Sequence, residues 1–226
     1  MAPEISVIIP THNRKSLVDR AIHSVLSQTL SSFELMVVDD GSCDGTGGLS
    51  YGAERVRFLF QPRRGVAAAR NLGIRKAQAP WIAFLDSDDE WHPEKLAAQL
   101  AYHRRHPACR ISQTEEIWIR NGRRIFPKRR HKKPSGMIFV SALDLCLISP
   151  SSVMIHREVF DRVGLFDESF PACEDYELWL RVTLFFPVGL IEQALTVKHG
   201  GHSDQLSSAP GLDHYRVLAI EKILNS

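Results

Sequence analysis

Two clusters of carboxylates stand where strand ends would place them side by side. Asp86-Ser87-Asp88-Asp89 follows directly on the apolar run Trp81–Leu85, and Asp39-Asp40-Gly41-Ser42 follows Leu35–Val38. A carboxylate that ends a buried strand sits crowded at the sheet edge instead of being solvated as on a helix surface. Hard oxygen donors gathered this way suit Mg²⁺ or Mn²⁺. The bland alternative for Asp88 or Asp89 is the cap of a helix starting near Pro93. Asp39 could accept from the amino or imino edge of a nucleobase, or could be a simple turn residue.

In open parallel sheets a ligand binds beyond the carboxyl ends of the strands. That rule selects three loops: Pro10 to Arg14, Asp39 to Thr46, and Asp86 to Asp89. Two of the three are acidic, so a phosphate would need a divalent cation to bridge it to the carboxylates. No G-x-G-x-x-G follows the first strand and no G-x-x-x-x-G-K-[ST] occurs, which disfavours dinucleotide binding and P-loop chemistry.

The elements that must position these loops are legible as alternating strands and helices. Ile5–Ile9, Leu35–Val38, Val56–Phe60 and Trp81–Leu85 are apolar runs of strand length, the first ended by Pro10. Between them, Leu17, Ala21, Ile22, Val25 and Leu26 recur at helical spacing behind Ser16, a candidate N-cap, and Val66–Ala77 reads as an alanine-rich helix. The alternation through about residue 105 is the form of right-handed β-α-β units. Beyond it, Asn121-Gly122 between Ile117–Arg120 and Arg123–Phe126 signals a two-residue hairpin. Ser152–His156, Val188–Ile191 and Leu195–His199 read as strands, and Glu174–Phe185 and Leu212–Leu224 as helices. The expected fold is α/β: a mostly parallel central sheet flanked by helices, with residues 1–105 and 106–226 as two halves of one domain sharing that sheet.

The chain has 226 residues, 44% of them hydrophobic and 24% charged, an ordinary globular composition. Its formal charge of +2 hides an asymmetry, because Arg120 to Lys133 holds eight Lys or Arg and no acid, leaving 20 of the 28 basic residues against 26 acidic ones elsewhere. Such a run is a partner surface or a solvated loop. An acidic or lipid-phosphate acceptor and an anionic membrane are its candidate partners; nucleic acid is disfavoured, since a single basic run lacks a docking motif. The four cysteines, Cys43, Cys109, Cys146 and Cys173, form no C-x-x-C pair, which suits a reducing compartment. No apolar stretch reaches spanning length and no signal core is seen, so the expected location is cytoplasmic, with peripheral contact at the inner face of a membrane left open.

Four segments in order, Ser6-Val7-Ile8-Ile9-Pro10-Thr11-His12-Asn13-Arg14, Val37-Val38-Asp39-Asp40-Gly41-Ser42, Ala68-Ala69-Arg70-Asn71-Leu72-Gly73-Ile74 and Phe84-Leu85-Asp86-Ser87-Asp88-Asp89, resemble the family 2 glycosyltransferases of GT-A fold. The resemblance implies inverting transfer from a nucleoside-diphosphate sugar, most often a UDP-sugar, with Mn²⁺ or Mg²⁺. Carried over by position, it assigns Pro10, Thr11, Asn13 and Arg70 to the nucleotide, Asp39 to the base, Asp86 to the ribose side with Ser87 beside it, and Asp88 to the metal. Asn71 and Gly73 are expected to be structural. For Arg70 the alternative is a helix-surface ion pair.

An inverting displacement needs a base for the acceptor hydroxyl. Cys173-Glu174-Asp175-Tyr176-Glu177 resembles the acidic segment of the family, which makes Asp175 the candidate, with Glu174 and Glu177 as fallbacks and helix capping as the competing role. In the late segment Lys198-His199-Gly200-Gly201-His202, which resembles the histidine-containing segment of many family members, His202 is a candidate metal or diphosphate ligand and His199 a second. The acceptor class implied is a glycan, a lipid-linked sugar or a small molecule. A sugar nucleotidyltransferase and a non-catalytic sugar-nucleotide or glycan-binding module are the alternatives. The first should carry a glycine-rich, lysine-containing loop, and Pro10-Thr11-His12-Asn13 is not one.

Overall fold

The computed structural model describes residues 2–51, 56–201 and 211–225. The amino-terminal half runs β1 (Ile5–Thr11), α1 (Lys15–Leu26), β2 (Phe33–Asp39), β3 (Val56–Phe60), α2 (Val66–Lys76), β4 (Trp81–Phe84), β5 (Glu90–Trp91) and α3 (Lys95–Arg105). The second half adds β6 (Ile111–Arg120), β7 (Arg123–Ile125), α4 (Phe139–Asp144), β8 (Val153–His156), α5 (Arg157–Val163), α6 (Glu174–Phe185), β9 (Val188–Gly200) and α7 (Leu212–Leu224). Among the described residues all nine strands join one sheet in the order β3-β2-β1-β4-β8-β6-β9-β5, with β7 paired to β6. The four strands from β3 to β4 are mutually parallel, and β8 joins β4 antiparallel.

The apolar runs are continuous because both sheet faces are covered. Along β1, Ile5, Val7 and Ile9 enter the layer under α1 and α3, while Ile8 enters the opposite layer with Ile74 of α2 and Trp179 of α6. β2 repeats the alternation with Leu35 and Val37 on one face and Met36 and Val38 on the other. Gly73 lets α2 lie close on β1: a Cβ there would stand 2.5 Å from Ile8 Cγ2. The side chain of Asn71 bonds the backbone of Phe166 in both directions and ties α2 to the loop before α6. Both positions are structural, as expected.

Three expectations need correction. α1 begins one residue before Ser16, and its cap position is Arg14. The free Lys15 N–H is taken by the Asp44 carboxylate at 2.9 Å, which does the work a serine cap would have done. The two strands expected at 188–191 and 195–199 are one strand, β9, paired parallel to β6. Register shifts opposite Thr114, Glu115 and Glu116 absorb the polar residues that looked like a break. Lys133, counted with the solvated basic run, is buried, with Nζ 3.1 Å from Glu116 Oε1 and within bonding distance of Gln113 and Ser152. The hairpin forms as expected, with Arg120 opposite Arg123 and both Asn121 and Gly122 at positive φ, 50° and 72°. Among the described residues no helix is long and apolar enough to cross a membrane.

Candidate active site

The carboxyl ends of β1 and β4, the amino end of α6 and the far end of β9 converge on a cavity of about 470 Å³. Its walls carry Pro10, Arg14 and Arg70, the run Asp86 to Asp89, Cys173 to Tyr176, and Lys198 with His199. A second cavity of about 550 Å³ adjoins it, sharing Pro10, Arg14, Val66 and Ser87, and is lined further by Thr11, Arg63, Arg64 and Phe170. Thus Asp86, Ser87, Asp88, Arg70 and Asp175, separated by up to 105 positions in the chain, face one space.

Arg70 links the two sides. The residue is 97% buried, with Nη2 2.7 Å from Asp86 Oδ1 and Nη1 2.5 Å from Glu174 Oε1, and its guanidinium lies over the Phe166 ring. It is therefore a buried bridge between β4's end and α6, neither a helix-surface ion pair nor a guanidinium free of protein partners. Burial raises the proton affinity of Asp86, but Arg70, Lys198 and Arg14 outweigh it and hold the carboxyl below its ordinary range. Glu174 is shifted the other way, since burial outweighs the attraction of Arg70.

Asp88 points to Arg14, with Nη1 3.1 Å from Oδ2. Burial first, and then the Asp86 charge, raise its pKa. Asp89 is no helix cap. Its Oδ2 accepts from Ser151 Oγ at 2.6 Å and its Oδ1 from the His199 backbone N–H at 3.0 Å, stitching the acidic loop to β8's approach and to β9. Burial, opposed by Lys198 and aided by Asp88 and Asp86, pushes Asp89 up to about 8.

At the amino end of α6, Cys173 takes the left-handed conformation (φ 60°) and presents the next turn to the cavity. The three acids of that turn part company. Glu177 is fully buried in a structural network with Arg181 at 2.6 Å and Lys222 at 2.7 Å. Glu174 is held by Arg70. Asp175 lines the cavity, accepts the Tyr176 backbone N–H at 2.7 Å, and among the described residues has no ion-pair partner within 4 Å. Burial raises its pKa against the pull of Arg70.

The remaining nucleotide candidates sit in the loops around the paired cavities. Asn13, at φ 51°, ties two loops together: its backbone N–H donates to Ser42 Oγ, and its Oδ1 accepts from the Cys43 N–H, both at 2.8 Å. Asp39 is buried and accepts the Ser42 N–H at 2.8 Å; it lines neither of the two adjoining cavities. Thr11 is buried, its Oγ1 has no hydrogen-bond partner among the described residues, and it lines the second cavity. His202 lies outside the described residues. His199 stands on the cavity wall with Nε2 2.7 Å from Glu90.

Two participants were not singled out from sequence. Lys198 lies in the field of Asp89, Glu116, Asp86 and Asp175, which together outweigh burial and hold it cationic. Its pairing with the end of β6 at Trp118 brings it to this wall, and its quoted neighbours His199 and His202 drew attention away from it. Asp40 accepts the backbone N–H groups of Arg64 and Gly65, each at 2.8 Å, and so shapes the loop that opens α2; the preference for Asp39 in the Asp39-Asp40 pair hid it.

The chain is similar to known proteins in sequence and in fold. The family model described as Glycosyl transferase family 2 matches residues 6–164. The putative teichuronic acid biosynthesis glycosyltransferase TuaG of Bacillus subtilis is 31% identical over 183 residues, 79% of this chain and 71% of that protein. An Escherichia coli protein named UDP-Glc:alpha-D-GlcNAc-diphosphoundecaprenol beta-1,3-glucosyltransferase WfgD is 33% identical over 183 residues, 79% of this chain and 69% of its own length. An uncharacterized glycosyltransferase of Rickettsia felis is 34% identical over 196 residues, 85% of this chain but 32% of the relative, so the chain spans about a third of such longer proteins. In structure, S. aureus TarS residues 1–349 in complex with UDP-GlcNAc superimposes with a TM-score of 0.83 at 23% identity, covering 99% of this chain and 67% of that one. That likeness identifies the fold as GT-A. The chain belongs to glycosyl transferase family 2.

Proposed function

We propose that the chain transfers a sugar from a nucleoside-diphosphate donor, a UDP-sugar, to an acceptor hydroxyl with inversion, in the assembly of a cell-envelope glycan or glycolipid. The observation that carries this is that Asp86 and Asp88, from the end of β4, and Asp175, from the start of α6, line a single cavity. A single displacement needs the leaving diphosphate on one side of the anomeric carbon and a base on the other. Asp175 supplies the base: it faces the cavity, is free of ion pairing among the described residues, and has a raised pKa that makes it a stronger proton acceptor once ionised. The adjoining cavity, with Pro10 and Thr11 on its wall, accommodates the nucleoside, and Thr11 Oγ1, without a partner among the described residues, is available to bond it. Arg14 and Lys198, which line the same cavity, would face the diphosphate.

Asp88, with Asp86 beside it, would offer a divalent ion carboxylate oxygens of the kind such ions take. Among the described residues no group of three metal-binding side chains is assembled, but Asp88 is a crowded carboxylate whose affinity for a positive charge is raised by Asp86. Asp88 would hold Mn²⁺ or Mg²⁺, which when bound offsets the charge of the departing diphosphate. A solved mannosyltransferase of the same fold, from Pyrobaculum calidifontis, is described in complex with GDP-Man and Mn²⁺ at a TM-score of 0.70 and 17% identity. For the acceptor, the name of the E. coli relative points to a sugar on a diphospholipid.

The test is a thermal-shift panel of nucleoside diphosphates and their sugars with and without Mn²⁺, followed by an assay for diphosphate release. A UDP-sugar should raise Tm only with the metal, and Asp88→Ala should remove that dependence. A panel in which no nucleotide raises Tm refutes the donor site; binding without any release of diphosphate favours a non-catalytic module.

A further inference from the structure

The segment from Arg120 to Lys132 is a built surface and has no part in the chemistry above. Its first end is fixed by the pairing of β6 with β7 and by the bond from the Asn121 N–H to the Gly200 carbonyl at 3.2 Å. Its last end is fixed by Lys133, 94% buried against Glu116. Between these anchors the Trp118 ring packs on His131, with centroids 5.2 Å apart. Seven cationic side chains, those of Arg120, Arg123, Arg124, Lys128, Arg129, Arg130 and Lys132, project into solvent, and among the described residues none of them forms an ion pair. At their centre Phe126 is 80% exposed, with the Arg124 guanidinium over its ring at 5.3 Å and Ile125 also exposed.

The position of this hairpin is as informative as its composition. β6 pairs with β9 to its very end, placing Trp118 beside Lys198 and Ile119 beside His199, and both of those β9 residues line the cavity. The cationic hairpin therefore rises from the rim of the cavity.

We propose that this hairpin docks the protein on an anionic lipid bilayer, with the cations on the headgroups and Phe126 inserted at the interface. Clustered Lys and Arg without counter-ions are drawn to the negative surface potential of such a membrane, and an aromatic ring flanked by cations is suited to the boundary between headgroup and acyl chain. Docking at the rim would hold a membrane-borne acceptor next to the cavity, but the surface stands on its own geometry whether or not the proposed transfer is correct.

The experiment is co-sedimentation of the full chain with vesicles of equal parts phosphatidylcholine and phosphatidylglycerol, against vesicles of phosphatidylcholine alone, at low and high salt. Binding should need the anionic lipid and weaken with salt. Each charge removed should lower partitioning about fivefold, so Arg123→Gln with Arg124→Gln should lower it about 25-fold. Phe126→Ser should lower it at both salt concentrations. All three positions are exposed, and unchanged thermal unfolding of the variants verifies that they fold. Equal binding to neutral vesicles, or unaltered binding by the double variant, overturns the proposal. So does tighter capture by a single-stranded oligonucleotide that the same double variant abolishes.

Discussion

Replacing Arg70 with Met removes the cation that pairs with both Asp86 and Glu174, two carboxylates of which the second is nearly inaccessible to water. The methionine fills much of the same volume, so the change is one of charge more than of packing. Breaking a buried pair by deleting one partner costs about 3–5 kcal/mol, because the stranded charge keeps its desolvation penalty. Against a total stability of about 5–15 kcal/mol, that is enough to move the urea midpoint far or to prevent folding. Arg70→Lys therefore accompanies it, keeping the charge but losing the fork that reaches both carboxylates.

The sign of the pH dependence follows from the two partners. Arg70, with Lys198, holds Asp86 below its ordinary pKa, so this part of the stability is present above the unfolded value near 4 and is lost as pH falls through the lower folded one. Without Arg70, Asp86 loses the largest cause of its depression and Glu174, already raised by burial, is raised further. Protonation then relieves the variant. The gap between wild type and Arg70→Met should be widest near pH 8 and narrow as pH falls toward about 4. Adding Glu174→Gln to Arg70→Met should recover about 1–3 kcal/mol in the double-mutant cycle. Urea unfolding across this pH range decides the matter. A gap that stays constant with pH, or a cycle with no coupling, would show that Arg70 acts through packing and not as an ionic bridge.

Asp175→Asn should leave the thermal shift by donor nearly intact and abolish transfer in a diphosphate-release assay; turnover at the wild-type rate removes Asp175 from the role of base. Gly73→Ala should cost about 1–3 kcal/mol in urea unfolding, because the added methyl meets Ile8 Cγ2 where α2 rests on β1. Asp89, pushed up to about 8, retains its proton in the folded chain over a range where the unfolded chain has lost it. Its contribution must therefore fall as pH rises from about 4 through about 8, and Asp89→Asn should flatten the decline of Tm between pH 6 and 9. An equally steep decline in the variant would place the titration elsewhere.

Much of the first half was legible because its signals are local. An apolar run, a terminating carboxylate and a helix with an appropriate start lie within a few residues of each other, and β1, β2 and β4 emerged close to where those runs placed them. The helix from Glu174 to Phe185 was equally plain. What the chain concealed was pairing at long range. Nothing near residue 70 announces that its guanidinium meets Glu174, 104 positions away. Lys133 looked like the last member of a solvated run because burial of one lysine is decided by Glu116 on a neighbouring strand. The polar pair Glu192 and Gln193 imitated a strand break, since a bulge and a turn have the same local composition. The loops that hold the nucleotide candidates were foreseen as places, but their mutual bonds, such as Asn13 to Ser42 and Cys43, were not.

The left-handed Cys173 has a consequence for engineering. Only a residue without a Cβ escapes the steric cost of that conformation, so substituting glycine there would relax the turn that aims the first residues of α6 at the cavity. Folding would gain from the relief while the aim of Asp175 became looser. With Asp175 in the role proposed above, selection of this chain for heat resistance alone would thus be drawn toward a position where robustness and turnover pull in opposite directions.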